Sequence, residues 1–97
     1  MRVIALRTLR EFWEIQPDAE ESLRAWYREA TAAEWDDPAA IKQMYGSASI
    51  LKDSRVVFNI HGNKFRLIVK INYPHRVVYI RFVGTHAEYD RIDAGKV

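Results

Sequence analysis

The chain reads as an α+β domain in which helices come first and an antiparallel meander follows. Two observations predict this. Between Asp18 and Glu34, Leu23, Trp26, Tyr27 and Ala30 recur at three- and four-residue spacing, the period of one helix face. From Arg55 onward the pattern changes to β-branched and aromatic runs, separated by the turn signals His61-Gly62-Asn63 and Tyr73-Pro74-His75.

Taken in order, Val3–Leu6 predicts a short strand joining the sheet edge. Thr8 is placed to cap a brief helix over Leu9–Ile15, which Pro17 interrupts because its ring removes a donor and clashes with the preceding turn. The helix from Asp18 to about Glu34 keeps Glu20, Glu21, Arg24, Arg28 and Glu29 largely outside. Asp37-Pro38 pairs an N-cap with proline at the first helical position and opens a short helix to about Tyr45. Gly46–Asp53 has small residues and no periodicity, which predicts a loop. Strands follow over Arg55–Ile60, Lys64–Asn72 and Arg76–Val83. Thr85 and Glu88 form a T-x-x-E capping box that starts a terminal helix over His86–Ile92. With the first strand included, the expected sheet has about four strands.

A chain of 97 residues holds one domain, residues 1–97, with no room for a second core. Its apolar content of 48% and three tryptophans argue for a packed interior rather than a disordered tail. The absence of cysteine excludes disulfides, thiolate catalysis and cysteine-ligated zinc. No apolar run exceeds four residues, so neither a membrane span nor a signal peptide is expected, and the cytoplasm is the expected location. The histidines are 14 and 11 residues apart, which matches no compact metal motif. There is no glycine-rich phosphate loop and no G-x-S-x-G elbow, so no cofactor is expected.

Charge is unevenly spread. Residues 1–54 carry seven Lys/Arg and ten Asp/Glu, a net −3, whereas residues 55–97 carry eight Lys/Arg and three Asp/Glu, a net +5. Such asymmetry fits a surface for a polyanion, and it fits equally well a half-solvated sheet whose outer face is basic. Strand alternation turns Phe65, Leu67, Val69 and Ile71 towards the helices and Lys64, Arg66, Ile68 and Lys70 the other way. Lys64 and Arg66 are then expected roughly 6.6 Å apart on one face. In the last strand Val78, Ile80 and Phe82 alternate with Val77, Tyr79, Arg81 and Val83, which adds Arg81 to the basic face and offers Tyr79 as a base-stacking ring. On the terminal helix His86 and Tyr89 stand three apart, hence on one face. A histidine can donate or accept a proton near neutral pH, a tyrosine hydroxyl can relay one, and Lys or Arg can stabilise charge on a pentavalent phosphate. Lys64, Arg66, Arg81, His86 and Tyr89 are therefore the candidates for RNA-cleaving chemistry. His61 and His75, at turn tips, read as solvated turn residues. Trp13, Trp26 and Trp35 read as core.

Three stretches carry a family resemblance: Val56-Val57-Phe58-Asn59-Ile60, Gly62-Asn63-Lys64-Phe65-Arg66-Leu67-Ile68, and Phe82-Val83-Gly84-Thr85-His86-Ala87-Glu88-Tyr89-Asp90-Arg91-Ile92. They closely resemble the HigB family of bacterial toxins. Leu9-Arg10-Glu11-Phe12-Trp13 and the Ser47-Ala48-Ser49 loop extend the likeness more loosely over nearly the whole chain, and Gly-Thr-His-Ala-Glu-Tyr is its most specific piece. The resemblance implies a RelE-like fold, with N-terminal helices on a twisted, mainly antiparallel sheet. It implies an mRNA endoribonuclease acting on translating ribosomes, neutralised by a helix-turn-helix antitoxin of the HigA type, through which alone operator DNA would be bound. Lys64, Arg66, His86 and Tyr89 lie within the matching motifs. Arg81 and Asn59 join them on face and proximity, and Asn63, Lys70 and Tyr79 complete the expected RNA contacts. A non-catalytic RNA- or ribosome-binding module explains the basic sheet equally well but leaves the His/Tyr pair beside it without a purpose.

Overall fold

A computed structural model describes residues 1–97. The elements run β1 (Arg2–Ile4), α1 (Leu6–Ile15), a 3-10 turn (Pro17–Ala19), α2 (Glu20–Ala32), α3 (Pro38–Met44), β2 (Ser49–Ile50), β3 (Arg55–Ile60), β4 (Phe65–Asn72), β5 (Val77–Thr85) and α4 (His86–Tyr89). They form one five-stranded sheet in the order β1-β5-β4-β3-β2. Only β1, at the sheet edge, runs parallel to its neighbour, β5. The α+β class and the antiparallel meander are as expected. The fifth strand is an addition: Ser49 and Ile50 pair with Val57 and Val56 inside the stretch read as a loop. Two residues are too few to show alternation, so only the pairing reveals them.

Helix α1 begins earlier than its cap signal. Ala5 is the N-cap and provides no side-chain bond, and Thr8 lies inside the helix. Leu6 packs against the core, and Leu9 and Trp13 are buried, so the apolar stripe already runs through the turn before Thr8. Burial of that stripe outweighs a cap worth about 1 kcal/mol. Elsewhere the local chemistry holds. Pro17 closes α1 and opens the 3-10 turn, α2 buries Leu23, Trp26 and Ala30, and Asp37 accepts a hydrogen bond from the Ala40 amide at 3.0 Å ahead of Pro38.

Helices α1, α2 and α3 pack against one face of the sheet. The inner face presents Val56, Phe58 and Ile60 from β3, Phe65, Leu67, Val69 and Ile71 from β4, and Val78 from β5 to the helices. Phe58 is its aromatic centre, with Trp26 edge-on at 5.4 Å, Tyr45 edge-on at 5.1 Å and Trp35 stacked at 6.1 Å. Tyr45 also donates to Glu29, and burial followed by that contact raises its pKa.

A β-bulge corrects the reading of β5. Ile68 pairs with Phe82, but Val69 pairs with Ile80, so Arg81 is an extra residue without a partner on β4. Beyond it the alternation inverts. Phe82 shares the outer face with Ile68, and Val83, opposite Leu67, turns towards the core. The outer face is also less bare than alternation suggested. Val57 and Ile68 are buried there, and the segment after α4 reaches back to it, with Arg55 Nε donating to the Val97 carbonyl at 3.0 Å.

Candidate active site

The site is built where the turn between β3 and β4 meets the end of β5 and the start of α4. Lys64 ends that turn, its amide donating to the His61 carbonyl at 3.2 Å. The Lys64 carbonyl then accepts the His86 amide at 3.1 Å, which ties α4 to the turn. Thr85 Oγ1 accepts from the Glu88 amide at 3.1 Å, and Glu88 Oε1 accepts from the Thr85 amide at 2.7 Å, so the expected capping box is complete. The helix it starts is shorter than expected and ends at Tyr89. Gly84 is needed at this junction. A Cβ there would come within 2.6 Å of the Phe82 ring and 3.2 Å of Glu88 Oε1.

Arg66 stands on the outer face opposite Gly84 on one side and Asn59 on the other. Its guanidinium donates to the Asn63 carbonyl at 3.1 Å and to Asn63 Oδ1 at 2.6 Å, and it lies 5.6 Å from the Tyr89 ring centroid. A planar fork fixed in this way is suited to a phosphate. Asn63, expected to contact RNA, is here the residue that orients Arg66. Asn59 donates to the Ser47 carbonyl at 3.4 Å. His86 Nδ1 lies 3.0 Å from Asp90 Oδ2 one turn along α4.

Lys64 departs from expectation. It lies in the turn rather than in β4, and its ammonium is 2.5 Å from Asp18 Oδ2 in the 3-10 turn of the helical layer. Lys64 and Arg66 therefore do not stand side by side on one pleated face. Asp18 lies 46 residues away in sequence, and nothing local in the sequence signals the pair. Hydrogen bonding from Lys64 and then its charge lower the Asp18 pKa below 3.8. A depressed carboxylate pKa contributes stability above the unfolded value and loses it as pH falls through the folded one. The tie between the helical layer and the turn is thus expected to persist at neutral pH and to release in acid below 3.8. An NMR titration of the Asp18 carboxyl carbon should find its midpoint below 3.8 and see it return there in Lys64→Ala. An unshifted midpoint in the wild type would count against the pair.

The remaining candidates are strung along the sheet. Arg81 sits exposed at the bulge, between the positions opposite Arg66 and Lys70. Lys70 and Tyr79 are cross-strand partners four residues along β4 from Arg66, roughly 13 Å away at the strand rise. They line a hollow of about 310 Å³ with Ser54, Asn72, Tyr73 and Pro74. This hollow lies at the opposite end of β4 from His86, so Lys70 and Tyr79 do not share the site. Arg76, expected in the last strand, is instead a turn residue at φ 59° with its guanidinium 2.7 Å from Asp36. No three His, Cys, Asp or Glu side chains gather as a metal site.

Residues 19–92 match the family described as HigB_toxin, RelE-like toxic component of a toxin-antitoxin system. The chain belongs to this HigB toxin family. The matched span covers α2 through α4 and so includes Asn59, Asn63, Lys64, Arg66, Arg81, His86 and Tyr89, with Asp18 one residue before it. The mRNA interferase toxin HigB of Escherichia coli is 29% identical over 92 residues, 93% of this chain and 88% of that protein. The mRNA interferase HigB of Shigella flexneri is similar to the same extent. A second Escherichia coli mRNA interferase HigB is 22% identical over 94 residues, 95% of this chain and 91% of the relative. For a HigB toxin, membership brings an antitoxin partner with it. No helix is long and apolar enough to cross a membrane.

Proposed function

We propose that this HigB-family toxin is an mRNA endoribonuclease that cuts messages on translating ribosomes in the cytoplasm and so arrests translation and growth. The observation that carries the proposal is the convergence of Arg66, Tyr89 and His86 at one end of the sheet, with Arg66 held by Asn63 and the His86 backbone held by Lys64. The relatives named mRNA interferases support the substrate.

The reaction is a transesterification that needs no metal. The 2′-hydroxyl oxygen of the target nucleotide attacks its own 3′-phosphorus as a base removes the hydroxyl proton. The bond from phosphorus to the 5′-oxygen breaks, and an acid protonates that leaving oxygen. A 2′,3′-cyclic phosphate and a 5′-hydroxyl result, and water can open the cyclic ester to a 3′-phosphate. His86 and Tyr89 form the proton-transfer pair. Arg66 orients the phosphate and stabilises its transition-state charge, and Lys64 joins it once RNA displaces Asp18. Arg81, Lys70 and Tyr79 follow along the sheet as contacts for flanking nucleotides, with Asn59 beside Arg66. The antitoxin is a HigA-like helix-turn-helix protein, and operator DNA is reached only through it.

Mapping 5′ ends on a translated reporter and on an untranslatable copy, after induction of the wild-type protein, tests this reading. Cuts confined to the translated message are expected. Growth arrest without new 5′ ends would overturn the enzyme in favour of a binding module. Binding should also be electrostatic. Affinity for uncleaved single-stranded RNA is expected to fall with salt, and losing one phosphate contact in Arg66→Ala should reduce the log–log slope by about 0.7. An identical slope in that variant would remove Arg66 from the RNA surface.

A further inference from the structure

The imidazole of His86 projects from an exposed four-residue helix, and its side chain is 47% accessible. An exposed ring of this kind would ordinarily sample several rotamers and both neutral tautomers. Here its backbone is anchored by the amide bond to the Lys64 carbonyl. Its ring has one partner, Asp90 Oδ2, at 3.0 Å from Nδ1. The other acids close in sequence or across the turn are engaged elsewhere: Glu88 with the Thr85 amide, Asp93 with the Gly95 amide and Asp18 with Lys64. Asp90 makes no other side-chain hydrogen bond or ion pair, and its carboxylate faces the ring.

A carboxylate cannot donate when ionised, so the neutral ring beside it carries its proton on Nδ1 and leaves the Nε2 lone pair bare. On this basis, and resting on the endoribonuclease reading above, we propose that Asp90 is a positioning residue for RNA cleavage. It fixes His86 as the Nδ1–H tautomer and holds Nε2 available to take the 2′-hydroxyl proton. As the proton arrives, the carboxylate faces the imidazolium it creates and stabilises it, without itself becoming protonated. The capping box supports this by setting the helical turn that brings residues 86 and 90 onto one face.

The test uses the full chain and two variants, Asp90→Asn and Asp90→Ala. Long-range 1H–15N spectra read the tautomer of neutral His86 without any RNA. Single-turnover cleavage of ribosome-bound mRNA reads the chemistry, and affinity for uncleaved RNA reads binding. The expected result is an Nδ1–H ring in the wild type that shifts towards Nε2–H in Asp90→Asn and loses its preference in Asp90→Ala. Cleavage should slow in both variants, approaching the loss caused by removing His86 itself, about 10²–10⁴-fold, with RNA affinity unchanged. Continued slow exchange of the His86 amide would show that α4 still docks on the turn. An Nε2–H ring in the wild type, an unaltered tautomer in both variants, or a shifted tautomer with undiminished cleavage would each overturn the assignment. A wild-type protein that cuts no RNA would overturn the functional reading instead, and the spectra tell the two failures apart.

Discussion

Replacing His86 with alanine is expected to silence RNA cleavage while leaving the fold intact. A positioned general acid or base contributes about 10²–10⁴-fold to rate, so the variant should fall close to background in any assay of new 5′ ends. The fold should survive because the half-exposed imidazole is not part of the core, and the contact that docks α4 runs through the His86 backbone amide, which alanine keeps. Primer extension on translated and untranslatable reporters, beside circular dichroism of the purified variant, checks both halves. Robust cutting by a folded His86→Ala protein would transfer the proton chemistry to Tyr89 and end the histidine assignment.

The second large effect is on stability. Phe58→Ala is expected to cost about 3–5 kcal/mol, which is most of the margin for a domain whose total stability is of order 5–15 kcal/mol. Phe58 is 1% exposed and is the one ring that touches Trp26 of α2, Trp35 of the following segment and Tyr45 beyond α3. Its removal opens a void where three parts of the helical layer meet β3, and relaxation cannot close it without moving all three. Urea unfolding should show a lower midpoint with little change in slope. A loss under about 1 kcal/mol, the scale of ordinary surface changes, would mean that the helices do not lean on this ring.

What was legible in the sequence was legible for local reasons. The stripe of Leu23, Trp26 and Ala30, the cap made by Asp37 with Pro38, the limits of Arg55–Ile60 and the Thr85–Glu88 box each depend on residues a few positions apart. The nearness of Arg66, His86 and Tyr89 was also readable, because Arg66 opens β4 just past a tight turn while His86 and Tyr89 share the short helix that follows β5. Other features depend on what lies across the fold. The start of α1 is set by burial of Leu6 and Leu9 rather than by Thr8. Lys64 is drawn out of the strand face towards Asp18, and the short strand β2 exists only through its partners on β3. Lys70 and Tyr79 carry the right chemistry for RNA but fall at the far end of β4, a separation that alternation alone does not weigh.

The extra residue at Arg81 gives β5 a parity. Up to Ile80, even-numbered side chains face the helices; from Val83 onward the odd-numbered ones do. Had the strand kept one parity throughout, Gly84 would sit on the helical side and α4 would leave the sheet from the wrong surface. The single unpaired residue therefore works as a phase shift. It lets a strand that begins by building the interior finish by delivering His86 and Tyr89 to the surface that Arg66 occupies. Strand β5 is in effect two half-strands of opposite sense, joined at one residue.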